Sequence, residues 1–138
     1  MTCMNWKLTL NNQVEQISLL AGFIDTIVDE AGIDPSLSMN LNLALEEAVT
    51  NVVLYAYPEG TEGSVDIDAQ IMDNVITFTI TDSGVPFDPT QKEDADITLS
   101  AEERPIGGLG IFLVKQLMDS VSYQRTSGKN VLVMSKNI

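Results

Sequence analysis

One short run in this chain carries residue types suited to chemistry: Glu46-Glu47-Ala48-Val49-Thr50-Asn51, inside a long apolar-periodic segment. On a helix, Glu47 and Asn51 stand one turn apart and share a face. A carboxylate and a carboxamide on an otherwise apolar helix are costly to bury unless they meet partners or a ligand. Asn51 offers a side-chain oxygen suited to a hard cation such as Mg²⁺, which takes oxygen donors and keeps waters and phosphates. Glu47 has the chemistry to hold a water or to accept a proton from an attacking hydroxyl. The plainer alternative is a solvent-facing polar pair. Glu46 projects about 100° away from Glu47 and reads as a surface charge.

Two further segments bear on that choice. Thr81-Asp82-Ser83-Gly84-Val85-Pro86-Phe87 follows a strongly alternating strand. An aspartate at a strand end can accept a hydrogen bond from an amine such as that of adenine, and Gly84 would let backbone approach a flat ring. Asp and Gly in these positions also suit an ordinary turn. Arg104-Pro105-Ile106-Gly107-Gly108-Leu109-Gly110 precedes a helical pattern. Glycines ahead of a helix leave N–H groups free to cradle phosphate, and the helix dipole adds a favourable field. No Lys-Ser/Thr follows, so this is not a P-loop, and no strand directly precedes it, so it is not a dinucleotide fingerprint. From the loop before the glycines, Arg104 could reach a terminal phosphate.

The elements that must position these residues are legible from periodicity. Residues 6–10 alternate as a strand. Val14, Ile17, Leu20, Ala21, Ile24, Ile27 and Ala31 recur at helical spacing, with Gly32 as a stop. Asp34-Pro35 predicts an N-cap and first helical residue for a second helix reaching about residue 57. Residues 64–72 and 75–81 predict strands joined at Asp73-Asn74. Residues 83–106 lack periodicity and predict a long loop of the kind that serves as a lid. Its Thr90, Lys92 and acidic residues read as solvated. A third helix opens at Gly107–Gly110, and residues 121–125 and 130–134 predict a closing hairpin around Ser127-Gly128-Lys129. The order β-α-α-β-β-loop-α-β-β predicts a two-layer α/β sandwich: a mixed, mostly antiparallel sheet covered on one face by three helices. It is not a Rossmann order.

The 138 residues suit one domain, 1–138, which would bury roughly 68% of its unfolded surface without staples. A net charge of −13 disfavours nucleic-acid binding and suits a basic protein partner or simple solubility. No apolar run approaches the ~20 residues of a membrane span. No charged region followed by an apolar core opens the sequence, so secretion is not expected. The single Cys3 suits a reducing cytoplasm. With no histidine present, histidine phosphotransfer, histidine-based triads and histidine metal ligands are excluded within this sequence.

In order and spacing, the three segments resemble the Bergerat-type ATP-binding fold shared by gyrase, histidine kinases and mismatch-repair ATPases, over roughly residues 35–135. Glu47-Ala48-Val49-Thr50-Asn51, Gly108-Leu109-Gly110-Ile111 and Met118-Asp119 resemble the bacterial anti-sigma-factor serine kinases in particular. The usual Asp-x-Gly-x-Gly ends here in Pro86, and Pro105-Ile106 separates Arg104 from Gly107. The resemblance implies ATP and Mg²⁺ as cofactors. Asn51 would bind the metal, Asp82 and Gly84 the adenine, and Gly107, Gly108, Leu109, Gly110 and Arg104 the phosphates. It implies Glu47 as catalytic base. The expected activity is phosphorylation of an anti-sigma antagonist together with sequestration of a sigma factor, in a cytoplasmic protein that touches neither nucleic acid nor membrane and for which the resemblance makes a homodimer the expected assembly. The alternative is a non-catalytic module whose bound nucleotide switches partner affinity.

Overall fold

The structure is a computed structural model and describes residues 3–91 and 110–138. Strand β1 (Met4–Asn11) leads into a 3₁₀ turn (Val14–Ser18) and helix α1 (Leu19–Ala31). Side chains hold this corner: the Asn11 amide donates to Gln16 Oε1, and the Gln13 amide to Asn11 Oδ1. The predicted first helix therefore begins with tighter geometry before becoming α. It stops at Gly32, whose φ of 68° is a left-handed conformation open to glycine at little cost.

Asp34 caps the next segment as expected, accepting from the Ser36 amide at 3.0 Å ahead of Pro35. Helix α2 runs over Ser38–Asn51 and then widens into a π turn, Val52–Ala56. The remaining elements are β2 (Ser64–Met72), β3 (Val75–Asp82), a 3₁₀ turn (Pro89–Gln91), α3 (Gly110–Leu117), β4 (Ser120–Thr126) and β5 (Lys129–Asn137). The β2–β3 hairpin turns at Asp73-Asn74 with φ of 54° and 61°, the doubly positive pattern that matches strand twist.

The strand order is β1-β2-β3-β5-β4, and every neighbouring pair is antiparallel. The sheet expected to be mostly antiparallel is antiparallel throughout. The crossover through α3 leaves β4 running parallel to β3, and the two would form a parallel pair only if they were neighbours. Instead β4 takes the edge, and the hairpin returns β5 to the place next to β3.

One face of this sheet meets the helices, and the register shows what it offers them. One row reads Trp6, Ala69, Phe78, Met134, Val121; the next reads Leu8, Ile67, Ile80, Leu132, Tyr123. Leu20, Ile24 and Ile27 of α1, Leu41, Leu45 and Val49 of α2, and Ile111 and Val114 of α3 complete the core. The last row on the same face reads Leu10, Val65, Asp82, Asn130, Arg125. The inward face thus turns polar at this end, with Asp82 and Asn130 both buried.

Candidate nucleotide site

Helix α2 presents Asn51 at 2% exposure, Glu47 half-buried one turn earlier, and Glu46 exposed. Asn51 Oδ1 is buried without a hydrogen-bond partner among the described residues. An unpaired buried carbonyl oxygen costs about 1–3 kcal/mol, so it marks a position that a ligand can satisfy. Burial, and then the neighbouring Glu46 charge, push the Glu47 carboxyl above the ordinary glutamate range. That moves it toward the range in which a carboxylate is an effective proton acceptor.

Asp82 closes β3 at 3% exposure. Its Oδ1 accepts from the Gly84 amide at 2.8 Å and from Asn130 Nδ2 at 2.9 Å. Burial raises its pKa, and the Asn130 and Gly84 donors and the Arg125 charge oppose that rise. Its Oδ2 takes no hydrogen bond among the described residues and is available to an amine donor.

The π turn stitches the two walls together. The Val85 amide donates to Ala56 O at 2.7 Å. A Cβ on Gly84 would stand 2.2 Å from that same carbonyl oxygen. Glycine is thus required here by close backbone packing against α2's extension, a different reason from the approach of a flat ring. Tyr57 Oη accepts from the Ser83 amide at 3.0 Å and donates to Ser64 O at 2.7 Å. Phe87 stacks on Tyr55 with centroids 5.4 Å apart, and Arg125 donates to Gly84 O at 2.9 Å.

Residues 83–91 of the predicted loop are accordingly tied down. Pro89 is buried, and Thr90, expected to be solvated, donates through both its amide and its hydroxyl to Asp88 Oδ1. The rest of the predicted lid, with Arg104, Gly107, Gly108 and Leu109, lies outside the described residues. Gly110 opens α3, which packs against α2. Two open clefts of about 590 and 530 Å³ share Tyr57 and Pro58 and include neither Asn51 nor Asp82 in their lining. The functional reading therefore rests on the side chains themselves.

Asn130, Arg125, Tyr57 and the π turn were not singled out from sequence. For Asn130 a signal existed: the alternation Asn130, Leu132, Met134 places an amide at an inward position.

The family described as Histidine kinase-like ATPase domain matches residues 10–136. The serine-protein kinase RsbW of Listeria monocytogenes is 33% identical over 100% of this chain and 91% of its own length. The chain belongs to the anti-sigma-factor serine kinases of the histidine kinase-like ATPase family. The anti-sigma F factor of Caldanaerobacter subterraneus is 32% identical, covering 78% of this chain and 77% of that protein. Among solved structures, a Mycobacterium tuberculosis protein with RsbU and RsbW domains superposes with a TM-score of 0.69 at 15% identity. That likeness covers 97% of this chain and about a third of the longer protein, 32%, and speaks to the fold.

Proposed function

We infer that this chain is an ATP-dependent protein serine kinase acting as an anti-sigma factor: it phosphorylates an anti-sigma antagonist and sequesters a sigma factor. The observation that carries this is the pairing on α2 of a half-buried Glu47 with the orphaned Oδ1 of Asn51, one turn apart. The fit to a magnesium ion follows from that oxygen. Among the described residues no three of His, Cys, Asp and Glu cluster as a metal site. An ion here would therefore take Asn51 plus phosphate and water oxygens, as Mg²⁺ prefers. Bound there, it would supply charge neutralisation on the transferring phosphoryl group.

The chain's own residues do the rest. Asp82 Oδ2 accepts the adenine amine. Glu47 takes the proton of the attacking serine hydroxyl. Backbone amides of Gly107, Gly108, Leu109 and Gly110, with Arg104, stabilise charge on the phosphoryl oxygens. A homodimer in the cytoplasm, with no nucleic acid bound, completes the reading and is supported by the resemblance and the acidic charge.

Incubation with labelled ATP and a cognate antagonist tests it. Wild type transfers label; Glu47→Ala binds nucleotide normally but transfers about 10²–10⁴-fold more slowly. Full transfer in that variant removes Glu47 from the mechanism, and no transfer by wild type removes the kinase.

A further inference from the structure

Asn130 is buried to 4% exposure, and its amide is fully used. Nδ2 donates to Asp82 Oδ1 at 2.9 Å and to Val85 O at 2.8 Å. Oδ1 accepts from the Phe87 amide at 3.2 Å and from the Tyr123 hydroxyl. Two donors and two acceptor positions are all an asparagine has. The network also fixes which way the amide points. A flipped Asn130 would set Oδ1 against the Asp82 carboxylate and the Val85 carbonyl, and its NH₂ against the Phe87 N–H.

The consequence for Asp82 is geometric. Asn130 and the Gly84 amide both occupy Oδ1, which fixes the carboxylate's rotation and leaves Oδ2, unpaired among the described residues, as the oxygen open to a ligand. The same amide holds residues 85 and 87, so one side chain sets both the base-reading atom and the loop around it. Neither Asp nor Ser offers two donors directed this way.

We propose that Asn130 is a positioning residue for nucleotide selection: it orients Asp82 so that its free oxygen reads the exocyclic amine of adenine. This rests on the assignment of Asp82 to adenine given above. Inosine triphosphate lacks that amine, so the ratio of its Kd to that of ATP isolates the contact.

Calorimetric titration of the full chain with ATP and with inosine triphosphate supplies the test. Wild type prefers ATP by about tenfold or more. Asn130→Asp, similar in shape but with no amide donor, brings the ratio close to one, and Tyr123→Phe, which removes a single bond to Asn130, reduces it by a smaller factor. If both affinities fall together and the ratio persists in Asn130→Asp, Asn130 is structural only and the proposal is wrong. Should Asn130→Asp fail to fold, an unchanged ratio in Tyr123→Phe has the same meaning. A wild type indifferent to the amine would instead overturn the Asp82 assignment, a result distinct from the loss of selectivity in a variant alone.

Discussion

Two buried asparagines, Asn51 and Asn130, sit at 2% and 4% exposure and are treated in opposite ways by the fold. Asn130 fills all four of its hydrogen-bonding positions within the chain, whereas Asn51 Oδ1 finds none among the described residues. Burial alone therefore says little about the role of a polar side chain. The satisfied amide of Asn130 braces its neighbours, and the unpaired oxygen of Asn51 lies one turn from Glu47. The carboxylate of Asp82 is braced by the protein, while Asn51 keeps an oxygen unpaired among the described residues.

The sharpest way to break this contrast is to make the same substitution at both positions. Asn130→Leu strands donors and acceptors on Asp82, Val85, Phe87 and Tyr123, and should lower unfolding free energy by about 2–4 kcal/mol in urea titrations. Asn51→Leu removes an oxygen that has no partner among the described residues. It should leave the apo protein as stable as wild type or about 1 kcal/mol more stable, while abolishing the rise in melting temperature given by Mg-ATP. Equal destabilisation by both would erase the distinction.

Asp82→Asn gives the next largest effect, with a sign set by linkage. Burial raises the folded-state pKa, so the folded protein holds this proton to higher pH than the unfolded chain does. The stability this protonation confers is present below the ordinary aspartate value and is lost as pH rises through the raised one. The stability of Asp82→Asn relative to wild type should therefore climb across that window and level off above it. Thermal melts at a series of pH values measure this, and a difference independent of pH would contradict the burial argument. Smallest is Glu46→Gln, which removes the second cause of the raised Glu47 pKa. The acid limb of kcat should move to lower pH, and added salt should erase the difference between variant and wild type.

What could be read from the sequence was whatever local chemistry dictates. Asp34-Pro35 announced a cap, Asp73-Asn74 a hairpin, and alternation in residues 75–81 a half-buried strand. Asn51 and Asp82 stood out because each interrupts an apolar pattern. The insertion of β5 between β3 and β4 had no local signature, since either arrangement satisfies the same alternation. The partnership of Asp82 with Asn130 depends on that insertion and was hidden with it. The packing of residues 83–91 was missed for a related reason: Phe87 and Pro89 look like loop residues until Tyr55 and the π turn are in place beside them.

The placement of β5 also sets an order of events during synthesis. β5 is made after every other element of the sheet, yet it stands between two strands completed before it. Until it emerges from the ribosome, β3 is an open edge able to pair with the wrong partner, and Asp82 lacks one of its two anchors. A nascent chain has its three helices and Asp82 in sequence, but that carboxylate gains its Asn130 partner only when the final hairpin arrives. A truncated product lacking β5 would leave the β3 edge unpaired and be prone to aggregate.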